Sequence, residues 1–219
     1  MSGEALLIWA RGTGFDLALI IFVAGMLLRL GEILSLGNKP DLSEGRGSGM
    51  AGGLRTILSR TLPRASIFAK APLRIINGYV FHIGLFVVIL FFAPHIEFIE
   101  TALGISWSNL PSGLVDAVSA ITLLSLVVAL VLRLNTPSLR FLSTSGDYWA
   151  WLVTMLPVLT GYMAYNHLLF PYTLMLGLHI LSVELLMVSA PFSKLTHIFS
   201  FALSRWYQGY QAGHRGIES

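Results

Sequence analysis

Five apolar runs, near residues 14–36, 75–97, 113–134, 148–167 and 171–190, are each long enough to carry a helix through about 30 Å of hydrocarbon at about 1.5 Å per residue. Inside a bilayer every backbone N–H and C=O must find its partner within the chain, so runs of this length read as transmembrane α-helices. The expected fold class is all-α: an integral membrane bundle of five helices forming a single domain over residues 1–219. Composition agrees, since 55% of the residues are hydrophobic and 11% charged, with a mean hydropathy of +0.74. The stretch from Met1 to Phe15 lacks a basic segment followed by a small-residue cleavage site, so the first run reads as a retained anchor.

The links between runs set the expected orientation. Residues 38–74 hold Lys39, Arg46, Arg55, Arg60, Arg64, Lys70 and Arg74 against Asp41 and Glu44. The next link carries Glu97, Glu100 and Asp116 without a basic residue, the third carries Arg133 and Arg140, and the fourth, Asn166 to Pro171, has neither Lys nor Arg. The chain leaves the last run with Lys194, Arg205 and Arg215. By the positive-inside rule the N-terminus lies outside, while the 38–74 loop and the 204–219 tail are cytoplasmic. The net charge of +3 therefore reports topology, and no nucleic-acid partner is expected. The 38–74 loop has two open readings, a basic connector resting on anionic headgroups or a docking surface for a cytoplasmic partner. Trp107, Trp149, Trp151 and Trp206 fall near span ends, as interfacial anchors do.

The chain has no cysteine, which excludes disulfides, Fe–S clusters and thiolate metal sites within it. Histidine is the remaining soft ligand. His179 and His197 are eighteen residues apart, five whole helical turns, and return to nearly one face. His82 and His95 stand at the two ends of the second run. With the second span running outward and the fifth inward, the four pair by depth: His82 with His197 near the cytoplasmic face, and His95 with His179 near the outer face. Imidazoles are costly on lipid-soluble helices, and two bis-histidine haem sites, one per leaflet, account for all four. A single interfacial histidine is often merely hydrated or bonded to a backbone carbonyl, so the depth pairing carries this reading.

The outer pair has a geometric difficulty. His82 and His95 are thirteen residues apart, about 220° around an ideal helix. Pro94 is expected to break the helix and swing His95 back toward the bundle. His167, in the outer link, competes for the same position, while His214 is expected to be solvated in the tail.

The segments Phe81-His82-Ile83-Gly84, Ser143-Thr144-Ser145-Gly146-Asp147 and Pro191-Phe192-Ser193-Lys194-Leu195-Thr196-His197-Ile198 resemble the cytochrome b (gamma) subunit of respiratory nitrate reductase. The resemblance runs from the first span to about Arg205 and includes the eighteen-residue histidine spacing. It implies a dihaem b membrane subunit of a prokaryotic inner (cytoplasmic) membrane, exchanging electrons between the quinone/quinol pool and a cytoplasmic Fe–S protein subunit of the same complex. It also implies His82 and His197 as ligands of the inner haem iron and His179 as one ligand of the outer. At the position ten residues after His82, where that family carries its other outer ligand, this sequence has Phe92, leaving His95 or His167 to serve. Ala93-Pro94-His95 and the tail from Ser204 to Gly216 are closer to nitrate-reductase-gamma-like cytochromes that accompany heterodisulfide-reductase-like Fe–S proteins.

Several charged residues bear on such a site. Glu184, just over one turn beyond His179, is read either as structural glue or as a group exchanging protons with a bound quinone. Arg29, Arg133, Arg140 and Lys194 fall at the depth of the inner site and are candidate partners for haem propionates. Arg29 and Glu32 are spaced to pair, and Asp147 is placed to cap the fourth span. The competing reading is a haem-free anchor tethering a peripheral oxidoreductase. No nucleotide loop, nucleophile elbow or His-Glu-x-x-His pattern is present, so the chain is expected to act as a subunit and not as a catalyst alone.

Overall fold

The apolar runs form helices whose ends are set by local chemistry. In this computed structural model, which describes residues 2–37 and 43–217, no strand occurs among the described residues. Asn38, Lys39 and Asp41, part of the expected basic loop, lie outside the described residues. The chain starts as α1 (Gly3–Trp9), passes through a kinked segment (Ala10–Gly14) where Gly12 leaves helical backbone, and runs on as α2 (Phe15–Ser35). The first apolar helix therefore begins eleven residues before the expected start at residue 14.

α3 (Gly49–Ser59) and the short α4 (Ala65–Phe68) precede the long α5 (Pro72–Phe91), and α6 (Ala93–Leu103) comes after it. The second run was expected to continue to residue 97, yet α5 stops at Phe91. Phe92 is extended at φ −84°, ψ 125°, and α6 restarts with Pro94 in its first turn, where the missing proline N–H does no harm. Gly104 ends α6 in the left-handed region at φ 71°.

The remaining helices are α7 (Ser112–Asn135), α8 (Pro137–Leu142), α9 (Ser145–Tyr165), α10 (Tyr172–Ser189) and α11 (His197–His214). Asp147 performs the expected capping: its carboxylate accepts from the Thr144 backbone N–H at 2.9 Å in a reciprocal capping box. Four helices, Gly3–Ser35, Pro72–Phe91, Ser112–Asn135 and Tyr172–Phe192, are long and apolar enough to cross a membrane. Large apolar side chains along them, such as Ile20, Leu27, Ile83 and Leu124, are exposed, as in a multi-pass protein whose helices meet lipid.

The chain divides into two compact units, Met1–Phe22 with Leu73–Ser189, and Val23–Pro72 with Ala190–Ser219. In the first, α10 packs between α9 and α1, and α9 also packs on α7. Small and hydroxylated residues permit close approach: Gly84 of α5 lies against Thr122 of α7, and Asn77 donates to the Ser125 carbonyl at 2.9 Å. The Trp151 indole N–H donates to the Leu126 carbonyl at 2.9 Å and ties α9 to α7. In the second unit α3 lies along α11, with Gly52, Gly53 and Thr56 meeting Gly209, Gly213 and Trp206. His214, expected to be solvated, is half-buried there; its ring lies against Gly45 and its carbonyl accepts from Arg46 N at 2.8 Å.

Candidate functional site

The end of α5 builds one half of the site. A helix leaves its last four carbonyls without intrahelical partners. Here three of them are taken by the segment that follows: Val88 O by His95 Nδ1–H at 2.9 Å, Phe91 O by Leu110 N–H at 3.0 Å, and Leu90 O by the Trp107 indole N–H. The break at Phe92 lets His95 fold back over the helix end, as Pro94 led us to expect, although the extended residue is one earlier than the residue preceding the proline. Phe92 packs edge to face against His95 and against Tyr165.

The other half is His179 on α10. Its Nδ1–H donates to the Pro157 carbonyl of α9 at 3.0 Å, and Thr160 Oγ1 lies 3.4 Å from the same nitrogen. Thr160 Oγ1 also stands 2.9 Å from Ser182 Oγ, while Ser182 donates to the His179 carbonyl at 2.6 Å. Gly161 leaves room for the ring, because a Cβ there would sit 2.9 Å from His179 Cε1. Thr160, Gly161 and Ser182 carried no signal in the sequence reading, since their role depends on which face of α9 meets α10.

The two rings face the same space, with centroids 6.3 Å apart and 19° between planes. Both Nδ1 atoms are committed to carbonyls, so both imidazoles present Nε2 as the lone-pair nitrogen, the tautomer a metal ligand needs. Two metal–imidazole bonds of about 2 Å, with the half-width of each ring, span roughly 6 Å between centroids. The centroid spacing of this stacked pair is therefore of the order that two imidazoles on one metal ion would have. Among the described residues no group of three His, Asp or Glu side chains gathers for a bare ion, and haem, which brings its own equatorial nitrogens, asks for only the two axial ligands.

His167 is placed elsewhere: it is exposed, has φ 52°, and its ring lies 5.3 Å from that of Tyr172. His82 belongs to the first unit and His197 to the second. Both repeat the same tautomer, with His82 Nδ1–H donating to Gly78 O at 2.7 Å and His197 Nδ1–H to Lys194 O at 2.9 Å. Arg29 is engaged by Glu32 at 2.7 Å, the pair expected from their spacing, and by the Pro191 carbonyl at 2.9 Å. Arg133 bonds Ser143 Oγ at 2.8 Å and lies 3.4 Å from Asp147. Arg140 and Lys194 are exposed.

Glu184 is 7% exposed, and among the described residues its Oε1 is the one buried side-chain polar atom without a hydrogen-bond partner. An unsatisfied buried acceptor costs about 1–3 kcal/mol, so its retention asks for a reason.

A protein of Nitratidesulfovibrio vulgaris, described simply as a protein, is 29% identical to this chain over 201 residues, covering 88% of this chain and 87% of the relative. No protein-family model matches the chain. No solved structure matches it.

Proposed function

We propose that this chain is a dihaem b-type cytochrome subunit of a membrane-bound respiratory redox complex, similar to the nitrate-reductase-gamma-like cytochromes. It carries electrons between the quinone/quinol pool and an Fe–S protein subunit. The observation that carries the reading is the His95–His179 pair, two near-parallel imidazoles 6.3 Å apart with both Nδ1 atoms bonded to carbonyls. His95 and His179 hold the outer haem iron; His82 and His197, by their place in the sequence motif, hold the inner one. When bound, haem b supplies a one-electron carrier whose potential follows its axial ligands and their hydrogen bonds.

The protein's own part is to fix those ligands. The freed carbonyl of Val88 and the carbonyl of Pro157 each hold one ring in a single tautomer and orientation. α9, with its length of 21 residues, supplies the fifth span of a bundle whose N-terminus is outside and whose C-terminus faces the cytoplasm of a prokaryotic cell. The Fe–S partner docks on that inner face, beside the basic residues Arg46, Arg55, Arg60 and Arg64.

A reduced-minus-oxidised optical spectrum of the detergent-purified chain, with a pyridine haemochrome count, tests the proposal. Close to two b-type haems per chain is the expected result. A folded chain isolated without haem would overturn it in favour of the tethering anchor.

A further inference from the structure

The second unit holds a pair of helices whose two sides differ in chemistry. α3 and α11 run antiparallel: Gly45, just ahead of α3, meets His214 at the end of α11, and Gly53 meets Trp206 nearer its start. Gly52 lies against Gly209 and Gly213, while Gly49 and Gly53 lie against the rings of Tyr210 and Trp206. At about 100° of helical rotation per residue, these contacts fix which flanks share a side. Met50, Leu54 and Ile57 follow Gly49 and Gly53 around α3, and Leu203 and Tyr207 follow Trp206 and Tyr210 around α11, so they lie on one side of the pair. Arg55, Ser59, Arg205 and Gln208 lie on the other, with the Arg205 guanidinium 5.5 Å from the centre of the Phe201 ring. The apolar side is uncovered: Met50 and Leu54 are each 58% exposed, and Leu58, one turn further along the same stripe, is 75% exposed.

Basic residues accompany that stripe. Between residues 43 and 72 the chain has Arg46, Arg55, Arg60, Arg64 and Lys70 against Glu44 alone. Arg55, Arg60, Arg64 and Lys70 are exposed, and among the described residues none of them pairs with an acid. The segment also lies between Gly3–Ser35 and Pro72–Phe91, each long and apolar enough to cross a membrane. Two successive crossings return a chain to the bilayer face it left, so α3 is tethered at both ends to that face and meets headgroups at high effective concentration. An uncovered apolar stripe beside exposed arginines matches the layers of a phospholipid surface, with phosphate outermost and acyl chain beneath. Trp206, Tyr207 and Tyr210 suit the same boundary. We propose that the α3–α11 pair lies flat on the bilayer, with Met50, Leu54 and Tyr207 among the upper acyl chains and Arg60 and Arg64 holding anionic phospholipid headgroups. The side bearing Arg55 and Arg205 then faces away from the bilayer. This surface needs neither haem nor a protein partner, and so goes beyond the proposed electron transfer.

The chain has no cysteine, so a single fluorophore can be attached at Met50→Cys, Leu54→Cys or, on the opposite side, Ser59→Cys. Each labelled full-length chain is placed in nanodiscs of phosphatidylcholine alone and of phosphatidylcholine with phosphatidylglycerol. Quenching by lipids carrying a nitroxide just below the headgroup is then read against discs without nitroxide. Labels at Met50→Cys and Leu54→Cys are quenched and the label at Ser59→Cys is not. Phosphatidylglycerol raises the ratio of quenched to unquenched lifetimes at the first two positions. Arg60→Gln and Arg64→Gln each lower that ratio about fivefold in the anionic discs, the effect of one basic residue at a charged surface. Each of these replacements is at an exposed position, and a melting temperature equal to wild type shows that the helix pair is intact. Equal quenching at all three positions, or the same ratio with and without phosphatidylglycerol, overturns the anionic-lipid surface. Labels at Met50→Cys and Leu54→Cys that stay in water in both discs also overturn it, and leave the stripe to a protein partner.

Discussion

Phe92 meets His95 edge to face, with ring centroids 5.3 Å apart and 84° between planes. Phe92 is the residue at which α5 breaks. Here the phenyl ring becomes a wall, and the imidazole three residues later turns inward because the backbone leaves helical geometry at Phe92 before α6 restarts at Ala93.

That relationship separates the two candidates for the fourth ligand. His95→Ala removes the outer haem, and His167→Ala leaves both haems in place, since His167 lies exposed beside Tyr172. A pyridine haemochrome count on both variants checks this; loss of haem in His167→Ala alone would reverse the assignment.

The proposed dihaem reading also makes a prediction for the histidines of α10 and α11. His179→Ala is expected to lose only the outer haem and His197→Ala only the inner, each leaving about half the wild-type absorbance in the reduced-minus-oxidised spectrum. Full absorbance in either variant would disprove its ligation.

Gly161 gives a steric test that leaves every ligand intact. A Cβ there would already press on His179 Cε1 at 2.9 Å, so Gly161→Leu displaces the ring from the Pro157 carbonyl. The expected outcome is at least about tenfold weaker retention of the outer haem, the usual consequence of disturbing a metal ligand's support. Unchanged haem content during detergent dialysis would show that the ring does not need this approach.

The α3–α11 pair makes a prediction about stability and not about haem. Gly209 packs against Thr56 and the Gly52 carbonyl with no room for a side chain. Gly209→Leu is expected to destabilise that unit by about 1–3 kcal/mol, as overpacking does. Thermal melting, with proteolysis between residues 43 and 72 as a second readout, checks it; an unchanged melting temperature and cleavage rate would mean that the helices do not depend on this contact.

Much of the helical framework was legible in the linear chain. Apolar runs in a bilayer leave the backbone little choice but helix, because nothing else there satisfies its N–H and C=O groups. Asp147 announced a helix start, Pro94 announced a break, and the Arg29–Glu32 spacing announced an ion pair, all interactions between near neighbours. The early start of the first helix at Gly3 was missed, since Glu4, Arg11 and Asp16 interrupt its hydropathy without interrupting its hydrogen bonds.

By itself the sequence determined which segments are helical and which histidines are available to bind a metal, because both follow from residue type and spacing along one chain. Only the tertiary structure decided that His95 and not His167 faces His179, that Val88 and Pro157 lend the carbonyls that orient the two rings, and that Glu184 Oε1 meets bare backbone at Gly14 instead of a donor. Those are contacts between helices far apart in sequence, and they depend on each helix's rotation and depth, which periodicity along one segment does not encode.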